Sequence, residues 1–169
     1  MPLELIKKLD DSYSGFIREF LLFTPADINV IPFQNSWTAG QVAEHIARSG
    51  TAILTFISGH VRPTSRPPGL YVPDFRMAFL NFTVKMSSPE FILPLQTTHD
   101  RNVLVAQLDG IRDGLLQAAR TMDLTQTCID FERPGVGALT RLEWLEFSVV
   151  HTLRHTHQLR HMKEVLHTA

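Results

Sequence analysis

Disulfide bonds are excluded from this chain, because its 169 residues include a single cysteine, Cys128. One cysteine cannot form an intramolecular bridge, and a lone thiol fits a reducing compartment. The opening segment, MPLELIKKLDDSYS, mixes charged with apolar residues and lacks the continuous apolar stretch of a secretory signal. We therefore expect a cytoplasmic protein.

An excess of positive charge is also missing, since 16 lysine and arginine residues face 17 acidic ones and the net charge is -1. Nucleic-acid-binding domains usually carry a basic surface, so nucleic acid is not an expected partner. No segment approaches the roughly 20 apolar residues that cross a bilayer, so no membrane partner is expected either. The length and the 44% hydrophobic content predict that residues 1–169 form a single globular domain.

Helical periodicity, by contrast, runs through most of the chain. Apolar residues recur at three- and four-residue spacing over Leu3–Phe23 and again over Thr38–Gly59, where Thr38 is a predicted N-cap. A third helix is predicted from about Thr98 to Met122. Its apolar seam alternates steps of four and three residues, as a helical bundle requires.

A fourth helix is predicted to begin at Thr140, because Thr140 and Glu143 have the spacing of a capping box. The second and third helices are joined by a proline-rich crossover, VRPTSRPPGLYVPDF, after which DFRMAFLNFTVKM predicts a short helix. No apolar–polar alternation is long enough to build a sheet. The sequence therefore predicts an all-α fold, a four-helix bundle with a long Pro-rich crossover between the second and third helices.

Four of the eight histidines fall within one short segment of the fourth helix, HTLRHTHQLRH. At about 100° per residue, His151 and His155 lie on the apolar face together with Gln158. His157 falls on the opposite side and His161 on the flank of the apolar stripe. We expect these last two side chains to be solvated.

His151 and His155 are one helical turn apart, so both rings can present a nitrogen to one ion at about 2.0–2.1 Å. His45 occupies a similar position on the apolar face of the second helix. Three inward imidazoles on two helices can supply a catalytic metal site that keeps one position open. Three unrelated core histidines, each with its own hydrogen bond, are the alternative.

Two segments resemble a known family: W-T-x-x-x-x-x-E-H, which ends at His45, and G-x-L-T-x-x-E-W-L-x-F-x-x-x-H-x-x-x-H-x-x-Q, from Gly137 to Gln158. Both look like the DinB-like superfamily of four-helix metal-binding proteins, which includes thiol-dependent S-transferases and mycothiol-dependent maleylpyruvate isomerases. The resemblance implies that His45, His151 and His155 are the metal ligands. Gln158 matches a polar residue that often follows them, with ordinary packing inside the bundle as its other role.

The resemblance further implies a thiol S-transferase or a hydrolase that acts on a small-molecule substrate. A divalent metal ion, zinc or nickel first and iron or copper as alternatives, would activate a thiol or water. No inward carboxylate accompanies the histidines, which favours a low-molecular-weight thiol as the nucleophile. The alternative is a non-enzymatic binding or stress-response module with a structural or vestigial metal site.

A homodimer is also predicted, because the apolar surfaces of the first and third helices exceed what one bundle of this size covers. Cys128 lies in a turn-rich stretch and is expected to be structural rather than nucleophilic. Trp37 is expected to pack the loop before the second helix. Solvated positions are expected for Glu44, Arg48, Arg62, Arg66 and Arg76; the alternative for the three crossover arginines is the mouth of a pocket, where they would recognise an anionic substrate. Surface or helix-capping positions are expected for His60 and His99, unless the crossover folds over the site and brings them close to it.

Overall fold

Four long helices pack into a bundle in the computed structural model of the protein, which describes residues 2–168. The long helices are α1 (Pro2–Leu21), α2 (Ala39–Ser58), α4 (Arg101–Thr121) and α5 (Arg141–Thr168), and a short helix, α3 (Val72–Phe79), lies between α2 and α4. α1 and α2 each pack against both α4 and α5. The four long helices predicted from periodicity are therefore confirmed.

The core lies between these helices and is built from the apolar stripes that their sequences carry. Leu9, Phe16 and Phe20 of α1 are fully buried, as are Leu108 and Leu115 of α4. Buried side chains of this kind each stabilise the fold by about 1.5–3 kcal/mol relative to exposed ones. This core fixes the rotation of each helix, and hence which of its polar residues face inward.

Side-chain caps determine where α2 and α5 begin. The Thr38 hydroxyl accepts a hydrogen bond from the amide of Gln41 at 3.1 Å, and the Gln41 side chain accepts one from the amide of Thr38 at 3.0 Å. Thr140 and Glu143 make the same reciprocal pair at 3.1 and 2.9 Å, which confirms the predicted capping box. The third long helix begins slightly later than predicted, because the Asp100 side chain caps it.

The all-α prediction is wrong in one respect, because a small antiparallel sheet closes one end of the bundle. Its strands are β1 (Val61–Arg62), β2 (Thr127–Arg133) and β3 (Gly137–Thr140), in the order β1-β2-β3. The register between β2 and β3 shifts between Thr127 and Glu132, so the burial of β2 does not alternate. In the sequence of β2, apolar and polar residues alternate only over the four residues from Ile129 to Glu132, which is a weak signal for a strand.

The long connection between α2 and α4 contains β1, α3 and a 3-10 turn at Glu90–Ile92. A short helix is present in this region as predicted, but it begins earlier, at Val72, because Pro73 is tolerated in a first helical turn, and it ends at Phe79, well before the end of the predicted segment at Met86. α3 packs against α5, and the turn at Glu90–Ile92 packs against α2. The connection therefore lies over the two helices that carry the inward histidines. Within residues 2–168, no helix has the length and apolarity required to cross a membrane.

Candidate metal centre

His45 of α2 and the pair His151 and His155 of α5 meet inside the bundle. The Nε2 atoms of His45 and His151 are 3.0 Å apart, and those of His151 and His155 are 3.2 Å apart. One ligand atom from each residue lies within 4.8 Å of those of the other two. All three side chains are buried, with at most 9% of their surface exposed. The fold thus brings together residues more than a hundred positions apart in the chain.

The opposite nitrogen of each ring has its own partner. His45 Nδ1 lies 2.8 Å from the carbonyl oxygen of Ile92, and His155 Nδ1 lies 2.7 Å from Oε1 of Gln158. His151 Nδ1 lies 3.2 Å from the hydroxyl of Ser49. A carbonyl or amide oxygen only accepts, so the Nδ1 of His45 and of His155 carries the proton. Both rings then direct an unprotonated Nε2 toward His151.

This tautomer pattern is suited to a cation. At most one proton, on Nε2 of His151, is available to satisfy the converging lone pairs of His45 and His155. A single ion contacts all three lone pairs at once, and histidine ligands commonly donate their other ring nitrogen to a carbonyl or amide oxygen in this way. The donor set therefore fits a divalent metal that prefers nitrogen ligands, such as zinc or nickel.

Burial keeps these imidazoles neutral. It lowers the pKa of His45 below its ordinary value of 6.5 and lowers that of His155 to about 3. It also lowers the pKa of His151 well below 6.5, and the neighbouring His155 and His45 rings lower it further. Neutral imidazole is the form that binds metal, so at pH 7 all three rings are ready to act as ligands.

Aromatic rings surround the three histidines. Phe147 stacks against the His151 ring with 5.4 Å between centroids, and Phe79 meets the same ring edge-on at 6.0 Å. Trp37 lies 5.1 Å from the His45 ring and so contacts the site itself. An apolar wall of this kind limits solvent access and strengthens electrostatic interactions inside.

Comparison with known proteins places this geometry in a family. The sequence model of the DinB superfamily matches residues 9–159, which include all three histidines. The chain belongs to the DinB superfamily. The resemblance inferred from the two sequence segments is thereby confirmed. No curated protein sequence matches the chain.

The fold of this chain is also found in a solved structure of another protein. The chain is similar to YfiT from Bacillus subtilis, described as a probable metal-dependent hydrolase with an unusual four-helix bundle topology. The two share 16% sequence identity at a TM-score of 0.63, over 96% of this chain and 86% of that one. At this identity the likeness establishes the fold, not the activity.

Glu44 was expected to be solvated and His99 to be a surface or helix-capping residue, but the two side chains bind each other and are largely buried. The Glu44 carboxylate accepts hydrogen bonds from the amides of Leu95 and Gln96 and lies 2.8 Å from Nε2 of His99. The side chains of Glu44 and His99 are 13% and 2% exposed. The sequence feature that accompanies this contact is Gly40. The His99 ring packs so closely there that an added Cβ would lie 2.7 Å from it. Glu44 therefore fixes the end of the long connection onto α2 and is not part of the histidine cluster.

The remaining histidines stay outside the cluster. His157 and His161 are exposed as predicted, with His157 stacked on Phe82 at 4.0 Å. His60 is exposed and lies 3.0 Å from a carboxylate oxygen of Asp130. Cys128 is fully buried, and burial raises its pKa to about 11, so the thiolate needed for nucleophilic attack is disfavoured.

Arg66 also departs from its expected solvated position. Its guanidinium binds both oxygens of Glu143 at 2.6 and 2.7 Å, and the Glu143 side chain is completely buried. Glu143 additionally accepts a hydrogen bond from the amide of Tyr71 at 3.1 Å. The proline-rich segment is thereby attached to the first turn of α5, at Glu143, which precedes His151 by eight residues in the same helix.

Proposed function

We propose that this protein is a metal-dependent enzyme in which His45, His151 and His155 hold one divalent ion through their Nε2 atoms. The observation that carries the proposal is the convergence of these three atoms while each Nδ1 is engaged by another group. A bound ion supplies Lewis acidity, which lowers the pKa of coordinated water to about 7 and favours the thiolate form of a coordinated thiol. Zinc and nickel fit the all-nitrogen donor set, with iron and copper as further options.

The contribution of the chain itself is orientation and exclusion of water. The Ile92 carbonyl and the Gln158 side chain hold the His45 and His155 rings with Nε2 facing inward. Phe79 and Phe147 cover His151. No aspartate or glutamate belongs to the histidine cluster among the described residues, so the site offers no adjacent carboxylate as a general base.

The missing base favours a thiol over water as the nucleophile. A free thiol has a pKa of about 8.5, so it loses its proton to solvent near neutral pH far more readily than water does. The proposed reaction is S-transfer from a low-molecular-weight thiol to a small electrophile. The sulfur forms a new bond to the electrophilic carbon, the leaving group departs with its electron pair, and the thiol proton passes to solvent. Hydrolysis, with water in place of the thiol, is the second candidate.

The number of protein ligands argues against a purely structural metal site. Structural zinc sites are closed by four protein ligands, whereas catalytic sites keep a position for water or substrate. Within the part of the chain that the structure describes, the cluster comprises three histidines and no fourth ligating residue. A non-enzymatic module is therefore the less favoured reading of this geometry.

The test begins with protein purified without nickel-affinity resin, so that its native metal can be measured. The metal is then removed with a chelator and restored, and two rates are followed: conjugation of a thiol to a chromogenic aryl halide, and hydrolysis of a chromogenic aryl ester. We expect the wild-type protein to show at least one of these two rates. Chelation and His155→Ala should each abolish that rate, and added metal should restore it in the wild-type protein only. The matched control is His157→Ala on the same helix, which should retain the rate. Equal rates in wild-type and His155→Ala protein would contradict the proposal.

A further inference from the structure

A second feature of the molecule is a cavity of about 260 Å³ between α3 and the turn that joins β2 to β3. This is smaller than the roughly 300–1,000 Å³ pockets that bind drug-sized ligands, so it suits a small molecule. Polar and apolar groups contribute almost equally to its wall, which carries one cation and one anion. The residues that define this Arg133 cavity are Tyr71, Asp74, Phe75, Phe79, Arg133 and Val136.

The turn places Arg133 at the rim of the cavity. The amide of Val136 donates a hydrogen bond to the carbonyl of Arg133 at 3.0 Å and closes the turn. Gly135 has a φ of 77°, a conformation that a side chain disfavours and glycine adopts freely. The sequence Arg-Pro-Gly-Val therefore positions the Arg133 side chain at the last residue of β2, facing α3.

The Arg133 guanidinium is held by aromatic rings. Its central carbon lies 5.2 Å from the centroids of Phe75 and Phe147 and 5.8 Å from that of Phe79. Cation–π contacts of this kind fix the plane of the guanidinium, while its N–H groups remain able to bind an oxygen anion in a bidentate manner. The rings thus orient the group without using its hydrogen bonds.

No carboxylate or carbonyl within residues 2–168 accepts a hydrogen bond from this guanidinium, and burial alone lowers its pKa. Other arginines of the chain are used differently. Arg66 binds the Glu143 carboxylate, and Arg154 donates to the carbonyl oxygens of Phe79, Asn81 and Val84. A half-buried cation that lacks an anionic partner is costly unless a ligand supplies one.

The cavity adjoins the three histidines. Phe79 lines the cavity and also contacts the His151 ring. Phe147 contacts both the Arg133 guanidinium and the His151 ring, so a single aromatic ring separates the two groups. A ligand anchored at Arg133 would therefore be separated from the His151 ring by the Phe147 side chain.

We propose that the Arg133 cavity binds a small carboxylate with an aromatic or similarly flat apolar body, the carboxylate on Arg133 and the body against Phe75 and Phe79. That this ligand is the electrophilic substrate rests on the proposed function; that the cavity binds such an anion does not. The single cation, with Asp74 in the same cavity, matches a monoanionic carboxylate better than a doubly charged phosphate. Asp74 repels the ligand weakly and thereby limits its charge.

The test is a calorimetric titration of the metal-loaded protein with benzoate, and with benzamide as the neutral probe of the same shape. We expect wild-type protein to bind benzoate at least tenfold more tightly than benzamide, because a charge-assisted hydrogen bond contributes roughly a factor of ten or more. Arg133→Gln should abolish this preference and leave benzamide binding unchanged. Asp74→Asn should tighten benzoate binding a few-fold, since it removes the opposing charge.

The matched control is Arg62→Gln, which removes an exposed arginine from the neighbouring strand β1 and should leave both affinities unchanged. If Arg133→Gln loses benzamide binding as well, Arg133→Lys decides, because it keeps the charge: a retained preference for benzoate supports the proposal. Benzoate binding that is unchanged in Arg133→Gln, or no preference in Arg133→Lys, would overturn it.

A repeat of the titration on chelated protein separates this inference from the proposed function. Benzoate bound through Arg133 should bind with a similar affinity after the metal is removed. Benzoate that binds only the metal-loaded protein, and does so equally in Arg133→Gln, is a ligand of the metal; that result overturns the Arg133 site and leaves the metal centre standing. Arg133-dependent binding of benzoate to a protein that holds no metal would support the Arg133 site and overturn the proposed metal centre.

Discussion

Gln158 is the residue outside the histidine cluster on which metal affinity should depend most directly. It accepts the hydrogen bond that fixes the His155 ring with Nε2 facing its partners. Gln158→Leu removes this acceptor with little change in size, and such partners typically contribute 10–100-fold to metal affinity. We expect a loss of about this size, measured by competition with a chromogenic chelator. Gln158→Glu, which keeps an acceptor oxygen, should bind metal nearly normally, and wild-type affinity in Gln158→Leu would show that the contact is dispensable.

The lowered histidine pKa values predict how the metal-free protein responds to acid. In the unfolded chain these imidazoles take up protons near pH 6.5, whereas in the folded chain burial lowers the pKa of His155 to about 3 and also lowers those of His45 and His151. The unfolded state therefore binds more protons below pH 6.5, and stability is lost as pH falls through that value. His155 alone should lower the free energy of unfolding by about 2 kcal/mol between pH 8 and pH 5.

Urea denaturation of chelated protein across this pH range measures the effect. The useful comparison is the slope of stability against pH rather than its absolute value, since a substitution in the core is itself destabilising. His155→Ala should show a shallower slope than wild-type, whereas His157→Ala, which removes an exposed histidine, should match it. Identical slopes in wild-type and His155→Ala would mean that the pKa of His155 is the same in the folded and the unfolded protein.

Residue positions that follow from one helix were predictable from the sequence, and those set by contacts between segments were not. The inward placement of His151 and His155 follows from helical phase, and the structure brings them together with His45 as expected. Glu44 lies at the edge of the same helical face, and only the returning connection buries it against His99. The position of a residue on an isolated helix therefore does not predict its burial when a long connection covers that helix.

At the scale of elements, the start of α5 depends on one buried ion pair. Glu143 caps the helix and binds Arg66 while its side chain has no exposed surface. Arg66→Ala leaves that carboxylate buried with its amide donors only, which should cost about 3 kcal/mol of stability. Chemical denaturation measures it, with Arg62→Ala as the exposed control, expected to stay within about 0.5 kcal/mol. A loss below 1 kcal/mol in Arg66→Ala would show that the charge is solvated.

Helices and their caps could be predicted because their signals lie within a few residues of one another. Thr140 and Glu143 form a capping box through local bonds alone. The strands could not be predicted in this way. Strand β1 has only two residues, and it forms by pairing with Thr127 and Cys128, more than sixty positions away in the chain. In β2 the register shifts between Thr127 and Glu132, and apolar–polar alternation in the sequence covers only Ile129 to Glu132.

For the whole molecule, the homodimer stays a prediction. The seam of α4 is used inside the bundle, where Leu108 and Leu115 are fully buried, so a dimer would rely on apolar residues that remain exposed, such as Leu21 and Val103. Light scattering at tens of micromolar protein should give twice the chain mass of 19.2 kDa. A mass of one chain at that concentration would remove the prediction.

The central claim concerns the whole fold, because only the bundle brings His45 of α2 beside His151 and His155 of α5. The most direct measurement is the metal content, by elemental analysis, of His45→Ala and His151→Ala compared with wild-type. A shared ion predicts that both variants lose metal to the same degree, whereas His157→Ala and His161→Ala, which alter exposed residues, keep it. Full metal occupancy in His45→Ala together with loss in His151→Ala would contradict the shared three-histidine site.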